Sequence, residues 1–466
     1  MISTKLGSTG SVLLALTISA SAQAPPGEGP ALGTNRTTQA DITGGGMTLL
    51  DIRKAGLKIF ATPFNKLDGY GDGPENLADT TSPGGRPTLQ NNGTFLRVNG
   101  LDAQNCQECH SVGSNATVPF TFAIGGVGGS NNNAIFQPTE IDVDDTLALG
   151  HSFFNGRYIN PPFLFGSGGV ELLGKEMTAD LQVQKALAMS APGTSVPLVS
   201  KGVSFGTISF SSVGVQDSTG IEGVDDDLVV KPFGRKGDNA TVRQFDIGAL
   251  QFHMGMQPSE AVGAGIDGDG DGVVDEILIG ELSALHIFGT NLERPKAEVL
   301  TGAARLGSRI FRQIGCSGCH VPNLTTLTTN LTYSQPEIHD DPLANVFYAA
   351  DLAAGPAGFA TTLGGGIKVP LFSDLKRHDM GLGLKETFGH PLDDQFVTAR
   401  LWGIADTAPY MHDGRATTLT EAILLHGGEA LAVRNSFDAL SDIHKIAVLT
   451  FLRTLRTPTH PAQDLL

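Results

Sequence analysis

CQECH at residues 106–110 and CSGCH at residues 316–320 contain all 4 cysteines of the chain. Each is a C-x-x-C pair followed directly by histidine, the arrangement for covalent c-type haem attachment. In that chemistry the two thiols form thioethers to the porphyrin and the adjacent imidazole becomes the proximal iron ligand. Cys106 and Cys109 with His110, and Cys316 and Cys319 with His320, are therefore expected to hold one haem each. A redox dithiol or a four-cysteine zinc site uses the same residue type, but neither accounts for a histidine after both pairs. The expected architecture is mainly α, with two cytochrome c-like haem domains, long loops and an inserted segment.

With 466 residues and 40% apolar content, the chain can bury more than one core. Its 60 glycines and 25 prolines point to helices separated by long irregular segments. The formal charge of −17 argues against nucleic acid or an anionic membrane surface as a partner and would attract a basic protein. The first residues read as an export signal. Lys5 gives the positive start, VLLALTISA (12–20) the short apolar core, and Ala20-Ser21-Ala22 the small residues before cleavage after Ala22. No later segment has enough consecutive apolar residues to span a bilayer, so a periplasmic or secreted protein with a signal peptide at 1–22 is expected.

A weak internal repeat accompanies the two attachment motifs. AGLKIF (55–60) and LGSRIF (306–311) both place a glycine and a phenylalanine on neighbouring helical turns. This suggests an N-terminal haem domain over 23–300 and a C-terminal one over 301–466. The helix DIHKIAVLTFLRTLR (442–456), with Ile443, Ile446, Ala447 and Leu449 in helical spacing and Ser441 as N-cap, would close the second. In TAPYMHDGRATTLTEAILLHGGEAL (407–431), Thr418 and Glu421 form a capping-box pattern, and Leu419, Ala422, Ile423 and His426 share one helical face. A lone histidine there is ordinarily a core residue bonded to backbone. A haem in the same half makes His426 a candidate sixth ligand.

The stretches NPPFLFGSGGVELL (160–173), PFGRKGDNATVRQF (232–245), RIFRQIGCSGCHVPNL (309–324), SDLKRHDMG (373–381) and RLWGIADTAPYMHDGRATTLTEAILLHGGEA (400–430) resemble the di-haem oxidoreductase family. That family is related to the bacterial di-haem cytochrome c peroxidases and to the di-haem enzyme that matures the quinone cofactor of methylamine dehydrogenase. In the peroxidase relatives a T-x-P-x-x-H-D-G loop is followed, 14 residues after its histidine, by a methionine or tyrosine ligand of the C-terminal haem; here that count from His412 lands on His426. The resemblance thus implies a His320/His426 haem suited to electron transfer. It also implies an interdomain calcium held through the backbone of Thr407 and Pro409. Where classical relatives carry a second histidine, 16 residues after the attachment histidine, this chain has Gly126, which leaves the N-terminal iron open in this reading. His151 is a further candidate distal ligand.

At an open haem, Glu171 as acid/base and Arg157 as polariser are the candidate catalytic residues, placed by a loose match around Pro161-Pro162. A surface salt bridge is the plain alternative for either. Trp402, the only tryptophan, is placed to lie between the irons or simply in the core. DGDGDGVVDE (267–276) matches the first half of a calcium loop through Asp267, Asp269 and Asp271 with Gly272; Asp275 could add a ligand, and Leu278 stands where a bidentate glutamate is expected. The leading expectation is a peroxidase reducing hydrogen peroxide with electrons from a small donor such as a cytochrome c or cupredoxin. A haem dioxygenase using dioxygen on an apolar substrate, and a pure electron carrier, are the alternatives.

Overall fold

The computed structural model describes residues 26–71, 103–110, 135–142, 153–386, 392–459 and 461–465. The expected export signal, Gly126 and His151 lie outside the described residues. Helices α1 (Gln39–Thr43) and α2 (Leu49–Ala61) each start at a threonine whose hydroxyl accepts from the third helical amide, while an aspartate there reaches back to the cap: Thr38 with Asp41, Thr48 with Asp51. Further along lie α3 (Ser167–Ser190), α4 (Val242–Ala249), α5 (Ser259–Val262), α6 (Ile279–Thr290), α7 (Gly302–Gln313), α8 (Leu419–Leu424), α9 (Leu431–Asp438) and α10 (Asp442–Leu452). α4 continues into a π-helical turn, Leu250–Met254, which Gly255 stops at φ +68°.

The glycine-phenylalanine repeat has a physical cause. A β-carbon on Gly56 of α2 would lie 2.2 Å from the Ala284 carbonyl oxygen and 2.5 Å from Phe288 Cβ on α6. One on Gly307 of α7 would lie 1.8 Å from the Ala447 carbonyl oxygen on α10. Phe60 then meets Phe288 at 5.3 Å between ring centroids, and Phe311 meets Phe451 at 5.5 Å. On both partner helices an alanine and a phenylalanine stand four residues apart, one turn of helix. The same glycine-enabled crossing is therefore built twice, α2 on α6 and α7 on α10. In both cases the attachment turn falls between the two helices in sequence.

The expectation for the last helix needs correction. Ile443 is 69% exposed and Ile446 is 59% exposed, whereas Ala447, Val448, Phe451 and Leu452 are buried. α10 is apolar nearly all round, so its own pattern does not select a face. Gly307 selects it, by admitting Ala447.

The mainly-α expectation is also incomplete. Six small antiparallel sheets occur among the described residues. Val196–Ser200 and Val203–Phe210 form a hairpin through Lys201 and Gly202, both at positive φ (50° and 81°), the requirement of a tight primed turn. Together with Asn330–Ser334 and Ile367–Val369 they pack on α3 through Leu173, Met177, Phe205, Ile208, Tyr333 and Val369, forming a mixed middle core that also takes Trp402. Residues 462–465 return to the first core: Ala462 and Leu465 pack with Ile59 and Phe60, and Asp464 pairs with the buried Arg53 guanidinium. They cross the boundary expected near residue 300. No helix among the described residues is long and apolar enough to cross a membrane.

Candidate functional site

Cys316–Gly318 is a single 3₁₀ turn entered from Gly315 at φ +101°, and the His320 amide donates to the Cys316 carbonyl at 3.0 Å. Cys106–Glu108 makes the same turn, with the His110 amide on the Cys106 carbonyl at 2.9 Å. None of the four cysteines is in a disulfide. In the C-terminal half, Cys316 packs against Phe311, Phe451 and Leu419. Phe311, Phe372 and Phe451 contact one another, which gives the site an aromatic wall. Burial pushes the Cys316 thiol up to about 11.

Thr418 caps α8 as its sequence pattern requires, and the helix delivers His426 one residue beyond its C-cap. The His320 and His426 rings lie with centroids 6.3 Å apart and planes tilted by 58°. His320 Nδ1 bonds the Phe372 carbonyl at 3.1 Å and His426 Nδ1 bonds the Ala422 carbonyl at 2.8 Å. A carbonyl only accepts, so both Nδ1 atoms carry the proton and both Nε2 atoms keep a lone pair. Two imidazoles bound opposite each other on one metal, with metal–nitrogen bonds of about 2 Å, place their centroids about 6 Å apart. The pair therefore fits a haem iron between them. Burial, followed by the proximity of His426, takes His320 down to about 4; His426 is lowered too, chiefly by burial. Both imidazoles stay neutral near pH 7, the form that ligates.

At the N-terminal turn, Cys106 packs in the core that also holds Leu250, Met254, Ile59 and Phe60. Burial again lowers His110 to about 4, followed by the closeness of His253, while the Pro162 backbone opposes the shift. His110 Nδ1 is buried and has no partner that meets hydrogen-bond geometry. His253, on the π-helical turn, was not singled out from sequence. A signal was present: Val242, Phe245, Ala249, Leu250 and His253 fall in helical spacing, the pattern that marks His426.

A short backbone path links the two turns. The Ala399 backbone lies beside His320, and Leu401 donates to the Leu371 carbonyl next to Phe372. Trp402 and Gly403 then touch the segment that follows Pro162. A β-carbon on Gly166 would come within 2.7 Å of the Trp402 ring, and one on Gly403 within 3.1 Å of Phe163. Trp402 is 2% exposed, and its Nε1 lacks a partner.

Glu171 is fully buried on α3. It accepts from His286 at 2.8 Å, Lys175 at 2.9 Å and the Val242 amide at 2.9 Å. Burial raises its proton affinity, but the charges of His286 and Lys175 outweigh that and hold it well below the usual carboxylate range. It ties α3 to α6 and to the N-terminus of α4, where a carboxylate is favoured. Arg157 lies in the strand Phe153–Ile159, opposite Gln137; its side chain lies outside the described residues.

Asp267, Asp269 and Asp271 bring one carboxylate oxygen each within 4.8 Å of one another. Asp275 is turned away at φ +52° and accepts from Ser259 Oγ and the Gly265 amide, each at 2.9 Å. Glu276 takes its place electrostatically. Burial, reinforced by Asp269, Asp271 and Asp267, pushes it up to about 9. At the second expected cation site, Asn160 Nδ2 donates to the Pro409 carbonyl at 2.8 Å and the Met411 carbonyl at 2.9 Å; Asn160 Oδ1 is buried without a partner, and Thr407 is buried nearby in sequence.

Residues 290–455 match the family model described as "Di-haem oxidoreductase, putative peroxidase". The match takes in the stretches 309–324, 373–381 and 400–430 from which the resemblance is read, and leaves 160–173 and 232–245 outside it. No curated protein matches the chain. Among solved structures, hydrazine synthase of Kuenenia stuttgartiensis pressurised with xenon is 20% identical over 38% of this chain and 55% of its own, with a TM-score of 0.24. A MauG-like protein associated with microbial copper homeostasis is 17% identical over 61% of this chain and 88% of its own, with a TM-score of 0.28. The chain thus spans about half the length of the hydrazine synthase chain. Similarity this low carries no argument about chemistry.

Proposed function

We propose that this di-haem oxidoreductase is an exported, periplasmic or secreted c-type cytochrome that reduces hydrogen peroxide at the N-terminal haem, with electrons relayed by the C-terminal haem. The pair His320 and His426, with ring centroids 6.3 Å apart and both Nδ1 atoms bonded to backbone carbonyls, carries the reading, because these two residues would hold one haem iron between them and suit it to electron transfer. Bound haem supplies one-electron iron chemistry and, where an iron is accessible, O–O bond cleavage. The chain supplies the rest. Cys106 with Cys109, and Cys316 with Cys319, anchor each porphyrin, and His110 and His320 are the proximal ligands.

Segment 399–403, which contains Trp402, provides the connection along which electrons pass between the two sites. Glu171 acts as a fixed anion in the interior rather than as a proton donor. Asp267, Asp269 and Asp271 hold a structural calcium. A second cation would sit by Thr407 and Pro409, with Asn160 Oδ1 turned to it. The net charge of −17 favours a small basic electron donor, a cytochrome c or a cupredoxin.

Overall, one peroxide consumes two electrons and two protons to give two waters. The test is peroxide consumption coupled to oxidation of a reduced donor by protein matured with two haems. Replacing Cys316 and Cys319 with alanine should abolish donor oxidation. Oxygen uptake without peroxide would instead favour a dioxygenase, and inertness to both an electron carrier.

A further inference from the structure

We infer that His253 is the axial ligand facing His110, so that the N-terminal iron is closed at rest. This deepens the proposed function and rests on its di-haem part, since it concerns which side chain of this chain meets the first haem.

In the C-terminal half the chain runs α7, attachment turn, α8 ending at His426, then α10, which crosses back over α7 at Gly307. In the N-terminal half it runs α2, attachment turn, α4 ending in the turn that carries His253, then α6, which crosses back over α2 at Gly56. His253 and His426 occupy equivalent places in the two halves. Each follows a short helix capped by a threonine, Thr241 or Thr418, whose hydroxyl accepts from the third helical amide. Each also stands within two residues of the glycine that follows, Gly255 or Gly427.

Packing brings the equivalent element to the equivalent site. Leu250 and Met254, which frame His253, lie in one core with Cys106. The Met254 carbonyl is tied to the Gly71 amide at 3.1 Å, and the Met256 amide bonds the Leu250 carbonyl at 3.0 Å. These bonds hold the turn against the segment after α2. His253 is half-buried there and close enough to His110 for a charge on one to oppose a charge on the other, the relation that also links His426 to His320. Single π-helical turns inside α-helices are concentrated at functional positions because the inserted residue re-aims a side chain.

The experiment uses the full chain matured with both haems. Electron paramagnetic resonance and visible spectra of the resting ferric protein should show two low-spin haems. His253→Ala should convert one of the two to high-spin, with haem content still two per chain, and added imidazole should restore the low-spin spectrum. His253→Met should stay low-spin with a shifted reduction potential at one haem, which keeps the test readable if the alanine variant folds poorly. His426→Ala should convert the other haem, and the double variant both. A His253→Ala spectrum identical to the parent's, or a parent already half high-spin and unaffected by the change, overturns the assignment. Peroxide turnover is scored separately: its absence with the spin change intact sinks the peroxidase reading and leaves the ligand assignment standing.

Discussion

Replacing Gly307 with alanine should loosen the C-terminal half, although alanine is the better helix former. Helix propensity alone favours the change by about 1 kcal/mol. The new β-carbon, however, would lie 1.8 Å from the Ala447 carbonyl oxygen and 2.4 Å from its carbon. Ordinary carbon–oxygen contacts are about 3.3 Å, so α7 and α10 must part by about 1.5 Å. A gap of even 0.5–1 Å forfeits roughly a quarter to a half of the dispersion energy of the atoms that face it. Those atoms belong to Ile310, Phe311, Ala447, Val448 and Phe451, all buried.

Overpacking costs about 1–3 kcal/mol, and backbone as the obstacle places this case at the upper end. After the propensity gain, a net loss of about 2 kcal/mol remains. At roughly 2–4 °C per kcal/mol for a unit of this size, the melting temperature should fall by about 4–8 °C. Thermal unfolding of the haem-loaded protein by circular dichroism reads this directly. Gly302→Ala on the same helix is the control, since a β-carbon there meets nothing within 4 Å. A Gly307→Ala protein that melts with or above the parent would refute the close-crossing argument, and Gly56→Ala should repeat the loss in the other half.

Glu276 is held up near 9 by burial and by the neighbouring aspartates, so it contributes stability below its unfolded value near 4.5 that is lost as pH rises towards 9. In chelator, melting temperature should decline across that window; calcium should remove the decline, Glu276→Gln should flatten it, and a parent slope unaffected by either sinks the site. Burial opposes charge on His378, but its bonds to Asp374, Cys319 and Glu429 raise it to about 11. Its contribution is complete below 6.5 and fades as pH rises through 11, so the melting difference from His378→Gln should shrink between pH 7 and 10; a constant difference counts against it. Asp464→Asn leaves the Arg53 guanidinium buried without its counter-charge. Because Asp464 is 42% exposed, about 1–3 kcal/mol is expected rather than the 3–5 of a fully buried pair, measured by denaturant midpoint. Trp402→Phe should slow electron exchange between the haems in flash-reduction kinetics with both spectra intact, and an unchanged rate excludes Trp402 from the path.

The attachment turns were legible because their information is local: five consecutive residues fix thiols and imidazole together. His426 was legible for a related reason, since a capping box and helical spacing lie within nine residues. His253 obeys the same spacing but sits far along the chain from CQECH, and only the tertiary return of α6 onto α2 makes the two halves comparable. The repeat itself could be seen, but its cause could not, because a glycine states that something comes close without saying what. Asp275 matches a ligand position when its loop is laid on a template, yet at φ +52° its carboxylate is engaged by Ser259 Oγ and the Gly265 amide instead of joining Asp267, Asp269 and Asp271. The hairpin at 196–210 shows the opposite failure, a Lys201-Gly202 turn between alternating apolar residues that a loop-rich composition obscured.

The clasp of residues 462–465 on α2 has a consequence for biogenesis. A segment synthesised long after CQECH supplies part of the wall against which Ile59 and Phe60 rest. In a chain made from its N-terminus, the wall beside the earlier pentapeptide is therefore completed only after the later one has been synthesised. Until residues 462–465 dock, the face of α2 that carries Ile59 and Phe60 lacks the cover of Ala462 and Leu465.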